Sequence, residues 1–219
     1  MLLYYITDRK GFAGAESDQR AALLRCIAEA ARAGVDYIQL REKDLGTAEL
    51  EQLTREAVNA IRHNSATAKL LINGAADIAI AINADGVHLP AGSATPDDIK
   101  AAWIKSKQRE PLIGVSAHSV GDVERAASNG ADFAVLAPVF EKAAFGAKGM
   151  GVEVLRQVCE FSSNWQNCFP VLALGGVTLA NARACLDAGA AGVAGIRLFQ
   201  QGDVAETVIK LRAMSGLQT

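Results

Sequence analysis

Short apolar runs recur along the chain at LLYYI (2–6), DYIQL (36–40), KLLIN (69–73), DGVHL (85–89), PLIGVS (111–116), DFAVL (132–136), PVLALG (170–175) and GVAGI (192–196). Runs of this length and polarity predict strands buried on both faces. Between most of them lie alanine-rich stretches with helical spacing, at 18–33, 47–63, 95–106, 120–129 and 178–188. Ser119 or Val120 opens one of these and Gly130 stops it; Thr178 opens another and Gly189 stops it. The segments EAARAGVDYIQL, RAASNGADFAVL and ACLDAGAAGVAGI echo one another: a helix end, a glycine, a small or acidic residue, then a strand. That is a recurring turn in which glycine supplies the left-handed cap.

Strands alternating with helices eight times predict a closed (β/α)8 TIM barrel, one domain over 1–219. An open doubly wound sheet would need fewer parallel strands or a break at an edge, and the pattern has neither.

Half the 219 residues are hydrophobic, enough for such a core. The net charge of -2 and the low aromatic content argue against a nucleic-acid partner. No apolar run approaches the ~18 residues of a membrane span. MLLYYITDRK has no basic region ahead of its short apolar run, so no secretory leader is expected. Cys26, Cys159, Cys168 and Cys185 show neither CxxC spacing nor pairing with histidine. They are expected to be reduced thiols of a cytoplasmic protein, mostly in the core.

In a TIM barrel the chemistry collects at the C-terminal ends of the strands. The polar residues there are Thr7, Asp8 and Arg9; Gln39, Arg41, Glu42 and Lys43; Asn73; His88; and Ser116, His118 and Ser119. ALGGVT places Gly175 and Gly176 between the seventh strand and a helix, and AGIR places Gly195, Ile196 and Arg197 at the end of the eighth. Barrels often bind phosphate at this corner, through backbone N–H groups and a helix N-terminus, and glycine lets an anion come close. In QLREKD, Gln39 and Arg41 are expected on one side of the strand and Leu40 on the other. Arg41 and Lys43 can then hold an anionic group. The loop FEKAAFGAKGMG (140–151) carries Lys142 and Lys148 and is either a lid over a phosphate or a plain connection; it lacks the P-loop pattern. His118, more than His88, is the acid–base candidate. His63 reads as a helix C-terminal capping charge, and Asp77, Asp97, Asp98 and Asp122 as helix-start acids.

The ordered set YYITDR, YIQLREKD, LLINGAADIAIAINADGVHL, IGVSAHS, GADFAVLAPVF and VLALGGVTLANARACLDAGAAGVAGI resembles the thiamine-phosphate synthase/TenI family over nearly the whole chain. The resemblance implies a TIM barrel. It also implies an enzyme that joins hydroxymethylpyrimidine diphosphate to thiazole phosphate and releases diphosphate, with Mg2+, or a TenI-type relative that tautomerises a thiazole phosphate. Carried over by motif, Gln39, Arg41 and Lys43 contact the pyrimidine and its diphosphate, Asn73 contacts the diphosphate, and Ser116 lies beside both. Gly176, Ile196 and Arg197 bind the thiazole phosphate through backbone N–H groups; family synthases have serine at position 197. A homodimer is the family expectation.

Several positions depart from the family pattern. The two acids that hold Mg2+ in the synthases are replaced by Gly74 and Ser93. Metal would then bind only through the substrate diphosphate, because Mg2+ usually takes one or two protein carboxylates. The Pro-Thr-x-Thr-Lys-type segment after the sixth strand is replaced by Phe140-Glu141-Lys142 and Gly146-Ala147-Lys148. The histidine that the tautomerases carry there is Pro138. Three readings follow: a divergent synthase, in which Arg41, Lys43 and Lys148 share work otherwise done by metal; a TenI-like isomerase using His118; and a non-catalytic binder of thiazole phosphate or thiamine phosphate.

Overall fold

The computed structural model describes residues 1–106, 110–140, 148–164 and 168–215. Eight parallel strands close into a barrel in chain order: β1 (Leu2–Ile6), β2 (Tyr37–Leu40), β3 (Lys69–Asn73), β4 (Gly86–Leu89), β5 (Leu112–Ala117), β6 (Phe133–Leu136), β7 (Val171–Ala173) and β8 (Gly192–Gly195), with β8 pairing back to β1. Helices α1 (Glu16–Ala33), α2 (Thr47–Asn64), α3 (Ala76–Ile82), α4 (Pro96–Ser106), α5 (Val120–Ser128), α6 (Val152–Ser163) and α7 (Ala182–Asp187) connect them. A short α8 (Arg197–Gln200) and then α9 (Val204–Ser215) follow the last strand. This is a (β/α)8 TIM barrel. Among the described residues no helix is long and apolar enough to cross a membrane.

The two-residue period of the strands sorts side chains into two cores. Leu3, Tyr5, Ile38, Leu40, Leu70, Ile72, Val87 and Leu89 face outward and meet the helices. Tyr4, Ile6, Leu71, Phe133, Val135, Leu172 and Ala194 fill the barrel interior. The rings of Tyr4, Tyr37 and Phe133 pack together inside, with centroids 5.2 to 6.0 Å apart. Gly114 makes this possible: a Cβ there would lie 2.3 Å from Phe133 Cζ and 2.9 Å from His88 Nδ1.

The echoed turns have one construction. Gly34, Asn83, Gly130 and Gly189 take positive φ at the helix ends. Two residues later Asp36, Asp85 and Asp132 each turn a carboxylate back to the preceding strand, accepting the N–H of Leu3, Leu70 and Ile113 at 2.7 to 2.9 Å. The fourth turn has Ala191 at that place, where only its backbone can act.

Candidate active site at the barrel mouth

β2 sets up the first side of the mouth. Thr7 Oγ1 donates to Glu42 Oε1 at 2.6 Å and accepts the Arg41 N–H at 2.9 Å. The Arg9 backbone N–H and its Nη1 also donate to Glu42, and the guanidinium bridges on to Asp44 and Glu16. Arg9 and Glu42 are buried. The hydrogen bonds to Asp44 lead in holding Arg9 firmly protonated, and Arg9 in turn pulls the Asp44 carboxyl far below its usual range. Arg9, Glu42 and Asp44 thus form a clasp between the ends of β1 and β2. Arg41 and Lys43 have the opposite parity to Glu42, and no ion pair engages them among the described residues.

One level down, Gln39 is buried and its Nε2 stands 3.5 Å from Asn73 Oδ1. Asn73 and His88 are partners in the β3–β4 register and share the inward face with Leu71. Both thus belong to the mouth because two parallel strands end at one level. His88 Nδ1 lies 3.2 Å from Tyr4 Oη, and His88 Nε2 lies 2.9 Å from Ser116 Oγ. Burial first, and the charge of Arg41 second, bring the His88 pKa down to about 3, so the ring is neutral at ordinary pH.

His118 sits one strand step beyond Ser116 and is exposed. Its Nδ1 is 2.6 Å from the Ala137 carbonyl and its backbone N–H donates to Asp122. A carbonyl only accepts, so Nδ1 carries the proton and Nε2 keeps its lone pair in the neutral ring. His63 is on the helix exterior, bonded to the Asn59 carbonyl four residues back.

Across the mouth, Gly175 has φ +95 and Gly176 φ +66. A side chain at Gly175 would place Cβ 2.7 Å from Pro138 Cα, so β7 and the end of β6 touch backbone to backbone. Val139 and Phe140 donate to the carbonyls of Leu174 and Gly175, and Met150 and Gly151 return to Pro138 and Val139. The base of the 140–151 loop is therefore zipped to β7. Lys148 is exposed beside it; Glu141, Lys142, Gly146 and Ala147 lie outside the described residues.

Asn181 shapes the glycine turn. Its Oδ1 accepts the Thr178 N–H at 2.7 Å and its Nδ2 donates to the Gly176 carbonyl at 2.9 Å. α7 starts at Ala182 rather than at Thr178; the Thr178 carbonyl accepts the N–H groups of Asn181 and Ala182, and Asn181 braces the turn ahead of the helix. Beside it, β8 runs through Gly195 into Ile196 and then α8, where the Phe199 and Gln200 N–H groups donate to the Ile196 carbonyl.

The residues at the mouth offer little to a protein-held Mg2+. Gly74 contributes no side chain, and the Ser93 hydroxyl donates to the Pro90 carbonyl at 2.8 Å. Asn73 offers one amide oxygen. Among the described residues no group of three or more His, Cys, Asp or Glu side chains is gathered to hold a metal. A donor set without a carboxylate does not fit this ion.

Two cavities, of about 310 and 170 Å3, open at the other end of the barrel, and Lys69 and Asp85 line both. Asp36 and Asp85 there are occupied with strand N–H groups. The C-terminal mouth, where the fold gathers its chemistry, is the candidate site.

The fold and this mouth define a (β/α)8 barrel with cationic side chains at the end of β2 and glycine turns after β7 and at β8. The chain matches the thiamine monophosphate synthase (TMP-TENI) family over residues 3–199. A protein of Aquifex aeolicus provisionally named thiamine-phosphate synthase 2 is 38% identical over 198 residues, covering 90% of this chain and 96% of that one. The thiamine-phosphate synthase of Clostridium acetobutylicum is 34% identical, covering 87% of this chain and 83% of that one. The structure of the thiamine phosphate pyrophosphorylase from Pyrococcus furiosus superposes with a TM-score of 0.79 at 28% identity, covering 98% of this chain and 95% of that one. The chain belongs to the thiamine monophosphate synthase family.

Proposed function

We propose that the protein is a divergent thiamine-phosphate synthase, a transferase that couples hydroxymethylpyrimidine diphosphate to thiazole phosphate. The observation that carries this reading is the division of the mouth into two anion-suited ends with a polar inner wall between them. Arg41 and Lys43 receive the diphosphate, the rigid 175–178 turn with Gly195, Ile196 and Arg197 receives the thiazole phosphate, and Gln39, Asn73 and Ser116 line the space between. Lys148 closes on the diphosphate from the loop base.

The reaction asks little covalent chemistry of the protein. The bond between the pyrimidine methylene carbon and diphosphate breaks, and its electron pair leaves with the diphosphate. The pyrimidine stabilises the resulting cation, and the thiazole nitrogen lone pair forms the new C–N bond. Arg41 and Lys43 stabilise the departing charge, and the two phosphate ends hold the partners in line. With no carboxylate at positions 74 and 93, any Mg2+ would arrive on the substrate diphosphate, and the protein's cations carry more of the charge.

A TenI-like isomerase is the second reading, and the geometry of His118 favours it. With Nδ1 on the Ala137 carbonyl, Nε2 is the ring nitrogen left to exchange a proton at the rim of the mouth. Deuterium uptake separates the two readings. Incubated in D2O with thiazole phosphate tautomer alone, a synthase leaves the ring unlabelled, whereas an isomerase labels it and His118→Gln stops the labelling. A protein that binds thiazole phosphate, makes no product and moves no proton is a binder.

A further inference from the structure

We infer that Tyr4 and His88 act as positioning residues that fix Ser116 as a hydrogen-bond donor into the barrel mouth. Tyr4 lies inside the barrel, fully buried, and its hydroxyl has His88 Nδ1 as its partner among the described residues, at 3.2 Å. His88 is also buried, and its Nε2 stands 2.9 Å from Ser116 Oγ. Ser116 is partly exposed toward the mouth. The three groups form one line from the sealed interior to the site.

A neutral imidazole has one donor and one acceptor nitrogen, so the line runs in one of two directions. If Nε2 carries the proton, the Tyr4 hydroxyl donates to Nδ1, and Nε2–H donates to Ser116 Oγ. The Ser116 proton is then left for a ligand. If Nδ1 carries the proton, it donates to the Tyr4 oxygen, and Ser116 donates to Nε2. The phenol proton is then stranded in the interior. A buried donor without a partner is costly, so the first arrangement is preferred by roughly tenfold or more. The doubly protonated ring is not populated at neutral pH, since burial and Arg41 disfavour it. The His88 ring lies beside Phe133, centroids 6.4 Å apart, and Gly114 leaves room for both rings.

The ligand atom that meets Ser116 is therefore an acceptor. Resting on the synthase reading, it is a pyrimidine ring nitrogen or a diphosphate oxygen. The direction of the line is independent of that reading.

Nitrogen-15 NMR of histidine-labelled protein tests the direction without substrate. The expected result is a His88 ring with unprotonated Nδ1 and protonated Nε2. A ring with protonated Nδ1 overturns the inference. The ligand is tested by titrating inorganic diphosphate and, separately, unphosphorylated hydroxymethylpyrimidine into wild type, Tyr4→Phe, Ser116→Ala and the double variant. Ser116→Ala should weaken one probe by roughly tenfold. Tyr4→Phe should weaken the same probe, and the double variant should lose no more than Ser116→Ala alone. The probe affected names the acceptor. Additive losses, or no loss for either probe, overturn the positioning role. If Tyr4→Phe does not fold, the wild-type spectrum still decides. A correct tautomer in a protein that makes no thiamine phosphate would count against the synthase reading alone.

Discussion

Arg9 Nη1 lies 3.0 Å from Glu42 Oε2, and both side chains are almost wholly buried where β1 and β2 end. Glu42 is the residue between Arg41 and Lys43, yet its carboxylate is spent on Arg9 and Thr7. A negative charge in the middle of REK would otherwise cancel the cations on either side. Folding it back into the clasp leaves Arg41 and Lys43 without an ion pair among the described residues.

Glu42→Ala strands the Arg9 charge, with Asp44 and Glu16 as partial replacements. Urea unfolding should show a loss of about 3 kcal/mol. A loss below ~0.5 kcal/mol, the scale of an exposed pair, would mean that the clasp does not order the end of β2.

His88 makes stability depend on pH. In the folded chain it takes up a proton only near pH 3, but an unfolded histidine does so near 6.5. Between those values the unfolded chain binds more protons, so acidification favours unfolding. From pH 7 to pH 5 the cost is about 2 kcal/mol from this group alone. Asp44, with its depressed pKa, adds stability that is lost only below the ordinary carboxylate range, so it does not enter this window. His88→Asn should flatten the profile between pH 5 and 7; an unchanged slope would show that His88 is not the group responsible.

The strands were legible because burial on both faces leaves short apolar runs, and β1 and β3 match LLYYI and KLLIN to the residue. β7 ends at Ala173, short of the end of PVLALG; beyond it the Leu174 N–H still donates to the Leu136 carbonyl, and the Leu174 and Gly175 carbonyls accept the N–H groups of Val139 and Phe140. The candidate site was legible as far as strand ends could be read. Thr7, Arg9 and Glu42 look like site residues in the sequence, since a buried ion pair and a substrate-facing one use the same residue types. Tyr4 was hidden in an apolar run, where only its parity with Ile6 marks it as interior. Asn181 had one local signal: a short amide side chain five residues after a glycine pair, suited to bracing a turn.

Gly176→Asp should abolish binding of thiazole phosphate, because it brings charge and bulk to the anion. Gly176→Asn is the control, since both residues tolerate positive φ better than other side chains. Calorimetry should find the asparagine variant weakened and the aspartate variant weaker by a further factor of roughly ten or more. Equal affinities for the two would remove the anion from this turn.

Gly74→Asp with Ser93→Asp should restore a metal site. Gly74 has φ +70, which aspartate can adopt, and a Cβ there meets Pro90 at an ordinary 3.8 Å. Synthase turnover in Mg2+ should rise by roughly tenfold, with little change in EDTA. No gain in Mg2+ would indicate that the remaining wall of the mouth no longer suits a metal-bound diphosphate.

Phosphorus-31 NMR of the purified protein with hydroxymethylpyrimidine diphosphate and thiazole phosphate, run once with Mg2+ and once with EDTA, reads synthase chemistry at this mouth. A synthase should yield thiamine phosphate and diphosphate in equal amounts in at least one of the two conditions, with a sharp fall in both for Arg41→Ala. Bound thiazole phosphate with neither product in either condition would contradict the synthase reading.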